Sequence, residues 1–154
     1  MGIEEAGYRG SGNQPVILLF ARSYKNPNVT AVHEIEGFEP YFYVPENETN
    51  ILLKLLINRY SDEVEQDALG RNIRKCFTYI PSNIPKVRDN YSFTCMADYL
   101  FEKRFLIDHK IKYAYYLENG KPVSADALIP APLPPRVIYF DIEVRSPEGV
   151  LPLP

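Results

Sequence analysis

Asp141 and Glu143, in the run VIYFDIE that begins at Val137, are the residues whose types and spacing most directly suggest chemistry. Side chains alternate along a strand, so both carboxylates point to one side, roughly 7 Å apart, and that arrangement suits a shared divalent cation. Acidic residues also close strands simply where they meet solvent. A second set has the chemistry of base and phosphate contact: Arg88 and Arg104 each stand next to apolar residues in a locally basic part of the chain. Apolar and aromatic walls combined with arginine are what single-strand binding uses.

PVILLFARS and VTAVHEIEG are two strand-like runs around the turn-rich YKNPN, the pattern of an antiparallel hairpin. FEPYFYVP follows as a third strand. In ETNILLKLLINRY, Ile51, Leu52, Leu55, Leu56 and Tyr60 fall at helical spacing, which predicts a core-facing helix. Then come a short strand near Val64 to Leu69, a turn at Gly70-Arg71 and a strand in IRKCFTYI. A short helix begins near Pro85 with Ser82 or Asn83 as its cap, and YSFTCMA is a further strand. DYLFEKRFLIDHK reads as a helix burying Leu100, Phe101 and Phe105. IKYAYYLENGKPV reads as a hairpin turning at Asn119-Gly120. From Phe38 the order is strand, helix, strand, strand, helix, strand, the ferredoxin-like βαββαβ alternation, so the expected class is α+β. IPAPLPP packs four prolines into seven residues, a stiff extended linker. The boundaries expected are a domain over 1–130, a linker at 131–135 and the start of another domain at 136–154.

Composition narrows the field. With 45% apolar residues in 154, a core is within reach, and no apolar run approaches the 18 or so residues that span a membrane. The first residues lack the basic-then-apolar pattern of a secretory signal, so a cytoplasmic location is expected. Cys76, Cys95, His33 and His109 show no zinc spacing, and structural roles are expected for them. The net charge of -3 argues weakly against a generic nucleic-acid binder. It is unevenly spread: residues 1–67 hold 5 Lys and Arg against 11 Asp and Glu, whereas 68–121 hold 10 against 5. A solvated face explains such an island about as well as a phosphate track does.

VIYFDIE resembles the first exonuclease motif of family B DNA polymerases, and three further blocks carry the likeness in the same order. EGFEPYFYVP is similar to their early strand, NIPKVRD to a segment of their amino-terminal domain, and DYLFEKRFLIDHKI to the helix before their exonuclease domain. The resemblance spans about Pro15 to Gly149, and archaeal members are the most alike. It implies that 136–154 begins a ribonuclease-H-like 3'-5' exonuclease domain in which Asp141 and Glu143 bind magnesium or manganese ions that activate water. The further carboxylate motifs of the family do not follow, since eleven residues remain after Glu143. The expectation is therefore a polymerase fragment with no nuclease or polymerase activity and no tightly bound metal of its own.

The same resemblance implies an amino-terminal domain that binds single-stranded template DNA and senses uracil in it. Carried over residue by residue, its pocket takes Tyr8, Pro40, Tyr41, Pro81, Ser82, Asn83, Ile84, Pro85, Arg88 and Arg104. Ile84 stands where valine is usual, and Ala97 and Tyr99 replace an aromatic and an aliphatic residue beside the pocket. The partners implied are template DNA and the rest of a polymerase chain, with no membrane, in a nucleoid-associated cytoplasmic setting. Self-association through the last strand, unpaired without its sheet, is also expected. Two rivals remain: a purely structural bracing domain, and a stand-alone RNA- or DNA-binding module, although the RNA-binding consensus strand is absent.

Overall fold

In the computed structural model, which describes residues 1–11, 14–129 and 131–134, strand β2 (Gln14–Arg22) is the spine of the first sheet. Its alternation buries Ile17, Leu19 and Ala21 on one face. The expected partner, β3 (Thr30–Ile35), pairs antiparallel with it from Ile17↔Ile35 to Arg22↔Thr30. On the other edge β1 (Gly2–Ser11) pairs along its whole length, so the hairpin becomes a three-stranded sheet. β1 is poor in strand formers, and its conformation comes from the ladder it completes rather than from its own propensity.

The second sheet is built on β7 (Asn72–Thr78). β4 (Tyr41–Pro45) pairs on one side of it, and β5 (Ile57–Tyr60) and the two-residue β6 (Glu65–Gln66) pair on the other. The helix expected across ETNILLKLLINRY is not formed. Asn50 accepts the Leu52 N–H at 3.1 Å and closes one 3-10 turn, Ile51–Leu53, after which the chain extends into β5. Ile51, Leu52 and Leu55 point outward, Leu52 being 93% exposed. The reason is competition: β7 has an edge to satisfy, and Ile57 and Tyr60 suit the strand that satisfies it.

The expected strand in YSFTCMA shrinks to a single bridge, Tyr43↔Cys95, because Met96 turns into the left-handed region at φ 60°. Two elements of the βαββαβ order are thus missing, while the α+β class stands. Short helix α1 (Ile84–Val87) follows a 3-10 turn, Pro81–Asn83, and neither Ser82 nor Asn83 caps it through a side chain.

Helix α2 (Phe101–Asp108) buries Phe101 and Phe105 against Ile17, Leu19 and Ala21 to form the first core. Leu100, expected inside, stands just before its first turn and is 61% exposed. The second core joins Phe42, Val44, Ile57 and Cys76 of the second sheet to Ile84 and Val87 of α1 and to Tyr91. β8 (Tyr115–Glu118) and β9 (Lys121–Ser124) form the expected hairpin, with Asn119 and Gly120 at φ 50° and 77°, the signs a type I′ turn requires. The prolines of 131–134 run back along the first sheet: Tyr24 donates to the Ala131 carbonyl at 3.2 Å and Arg22 to that of Pro134 at 2.5 Å. Asp141, Glu143 and the strand expected at 136–143 lie outside the described residues. No helix among those described is long and apolar enough to cross a membrane.

Candidate nucleic-acid interface

Where the two cores meet, a cleft of about 290 Å³ opens between α2, α1 and the start of β4. Tyr8 comes to it from β1 with its ring set edge-on to Phe101 at 5.4 Å. Tyr41, the first residue of β4, walls the inside. Pro81 and Ser82 come from the 3-10 turn, and Ile84 and Pro85 from the first turn of α1. Ile84 belongs to both the cleft and the second core, which fixes it as a rigid apolar surface.

Two arginines complete the lining. Arg88 directly follows α1, is partly exposed and pairs with Asp98 and, more loosely, with Asp89 at 3.8 Å. Exposed pairs of this kind contribute little to stability. Arg104 is different: on the inner side of α2 it is only 3% exposed, and it has no ion pair among the described residues. Its guanidinium donates to the Met96 carbonyl at 2.8 Å and lies between the rings of Tyr41 and Tyr99, 4.8 and 5.2 Å from their centres. Its Nε finds no hydrogen-bond partner among the described residues. A buried charge without a counterion costs free energy, so the inner wall favours an anionic or strongly accepting guest.

Tyr41 donates to Asp108 Oδ2 at 2.7 Å. Burial first, and then this hydrogen bond and the Asp108 charge, push its phenol up to about 12, so it remains a neutral donor at physiological pH. Together the walls offer flat aromatic surface, an apolar floor and one desolvated cation, a combination whose shape and polarity suit a planar ring beside an anion.

Two of the ten residues carried over from the resemblance lie elsewhere. Pro40 is fully buried behind Tyr41 and lines a different cavity with Thr78 and Tyr79, because adjacent residues of an extended chain face opposite ways. Asn83 turns inward and donates to the Leu56 carbonyl at 3.2 Å, a structural tie. Ala97 and Tyr99, the departures from the family pattern, do line the cleft. So do Asp98, Leu100, Phe101 and Glu102, which sequence reasoning missed. The Met96 turn that folds 97–100 over Arg104 carries no sequence signal such as glycine. The two cysteines and two histidines, for which structural roles are expected, make packing and hydrogen-bond contacts. His33 Nδ1 and the Tyr115 hydroxyl are 2.6 Å apart, His109 stacks on Phe105 at 4.1 Å, and Cys76 is buried beside Tyr91. Cys95 gives its backbone to the Tyr43 bridge.

The fold and cleft define an α+β module with a recess walled by rings and arginine. No protein-family model matches the sequence, and no curated protein matches it. Among solved structures the chain is similar to the family B DNA polymerase from the hyperthermophilic archaeon Pyrobaculum calidifontis, with a TM-score of 0.61 and 18% identity. The likeness covers 77% of this chain and 18% of that one, so the chain spans under a fifth of the polymerase, and what is shared is the fold.

Proposed function

We propose that this chain is the amino-terminal part of an archaeal-type family B DNA polymerase, and that its cleft binds single-stranded template DNA and receives uracil. One observation carries the reading: eight of the ten residues that the sequence resemblance assigned to a base pocket line a single cleft, although they come from β1, β4, the 3-10 turn and α1 with the residue after it, and α2. Thymine differs from uracil by a methyl group, and excluding a methyl is worth roughly 1 to 3 kcal/mol, about tenfold to two-hundredfold in affinity. A cleft floored by rigid Ile84 supplies that exclusion by shape alone.

Matched oligonucleotides differing at one base test the reading by fluorescence anisotropy. Uracil is expected to bind at least tenfold more tightly than thymine, and Ile84→Gln, which fills the cleft, to abolish the difference. Equal affinities in the unmutated chain would reject base sensing and favour a bracing domain.

The proposal extends to Asp141 and Glu143, which lie outside the described residues, as two carboxylates of a magnesium or manganese exonuclease site completed by a longer polymerase chain. Two carboxylates alone hold such an ion weakly. The domain boundaries of 1–130 and 136–154 and a nucleoid-associated cytoplasmic setting belong to the same proposal. So does self-association through 136–143.

A further inference from the structure

The face of the second sheet that turns away from its core carries a mixed row of rings and cations continuous with the cleft. In the register of β4, β7 and β5, Tyr41 stands opposite Phe77, and Phe77 opposite Arg59; one step along, Tyr43 stands opposite Lys75. The contacts confirm a shared face. The Tyr41 ring lies 5.6 Å from that of Phe77 and 5.7 Å from that of Tyr43, and Lys75 Nζ lies 4.8 Å from the centre of Tyr41.

The Arg59 guanidinium covers Phe77 at 3.7 Å and leaves its own outer surface to solvent, its side chain being 49% exposed. Two carboxylates stand at this face, and one of them is paired with a cation. Glu39 takes Arg59 and Asn58, at 2.5 and 3.0 Å, and Glu65 hydrogen-bonds the Tyr43 hydroxyl. Lys75 has no ion pair among the described residues and is the cation of this face that no carboxylate holds.

We propose that this face is a second contact for single-stranded DNA, a track for the nucleotides that flank the one held in the cleft. The inference rests on the cleft reading and adds where the strand runs. Tyr41, 7% exposed, underlies both surfaces, so a strand with one base in the cleft passes over its position to reach Tyr43 and Arg59. Neighbouring bases stack on Tyr43 and on the Arg59 plane backed by Phe77, and Lys75 meets the phosphate between them. Stacking on rings and guanidinium planes tolerates any base, so the track adds affinity without adding base preference.

The experiment varies strand length and protein together. Oligonucleotides with a central uracil and either about two or about six nucleotides on each side are titrated by anisotropy against the unmutated chain, Lys75→Gln and Arg59→Gln. Both substitutions sit at surface positions, and thermal midpoints confirm that each variant is folded. The longer strand is expected to bind about tenfold tighter to the unmutated chain, and most of that gain to disappear in each variant. Lys75→Gln should flatten the salt dependence by about 0.7 in log-log slope, one phosphate contact.

The uracil-to-thymine ratio should be unchanged in both variants. Equal affinity for short and long strands, or a length gain that survives in both variants, overturns the track. Loss of base discrimination with the length gain intact overturns the cleft reading and leaves the face as a strand-binding surface. No binding by any strand overturns both.

Discussion

The Arg104 guanidinium lies 4.8 Å from the centre of the Tyr41 ring, while the Tyr41 hydroxyl is committed to Asp108 at 2.7 Å. The ring thus presents its face to one buried cation while its hydroxyl meets a carboxylate. Arg104 meets a carbonyl, a thioether and two π faces, but no anion among the described residues. Those partners hold the guanidinium in place without neutralising it.

Replacing Arg104 with methionine is therefore expected to change stability little, by about 1 kcal/mol or less, because an unpaired buried charge is exchanged for an apolar chain of similar reach. Single-strand affinity should fall about tenfold or more. Thermal melts and anisotropy titrations on one preparation separate the two effects. A loss of several kcal/mol would identify Arg104 as a structural tie instead.

The surface leucines give a contrasting expectation. Leu52 and Leu55 are 93% and 90% exposed, so Leu52→Glu and Leu55→Glu should each shift stability by no more than about 0.5 kcal/mol. Ile57, only a few residues on, is 5% exposed within the second core, and Ile57→Ala should cost about 2 to 5 kcal/mol. If 51–56 were the core-facing helix that its spacing suggests, the two glutamates would be severely destabilising, and denaturant melts distinguish the cases.

That segment also marks the limit of what the sequence made legible. Where local pattern and tertiary need agree, as at the Asn119-Gly120 turn, the β2–β3 hairpin and the Phe101/Phe105 face of α2, the element could be read directly. Where a sheet edge had to be completed, as at β1 and β5, the outcome depended on strands far away in sequence. The same holds at the cleft. Tyr41, Ile84 and Arg104 could be picked out one by one, but strand alternation set Pro40 behind Tyr41, and a left-handed Met96 brought Ala97 to Leu100 over Arg104.

Alkaline pH should expose the buried phenols. Burial pushes Tyr115 up to about 12 and Cys76 up to about 11, and Tyr41 reaches about 12 through burial and Asp108; burial also raises Tyr43 and Tyr91. Each group is neutral when protonated and has a higher pKa folded than unfolded. Its contribution is complete below the unfolded value, near 10 for tyrosine, and is lost as pH rises through the folded one. The thermal midpoint should hold to about pH 9 and drop steeply between about 10 and 12. Tyr41→Phe removes one titrating group, so its alkaline fall should be shallower; a midpoint curve parallel to the parent's would refute the assignment.

The proline run 131–134 is tied to the sheet that precedes it in the chain. Arg22, 6% exposed, is held by Glu4 at 2.9 Å and donates to the Pro134 carbonyl, so the run satisfies part of a buried guanidinium. Tyr24 donates to Ala131, and Leu133 packs so closely on Gly2 that a Cβ there would lie 2.9 Å from its Cδ1. Residues 131–134 therefore pack against the first sheet. Deleting 136–154 should leave the thermal midpoint within a few degrees of the full chain. Deleting 131–154 removes the Pro134 acceptor and uncovers Gly2, and should cost about 1 to 3 kcal/mol. Gly2→Val should mimic part of that loss by pushing Leu133 off the sheet, and proteolysis within 131–134 should speed up accordingly. If the shorter deletion collapses the transition, the fold depends on 136–154 and the boundary belongs further along the chain.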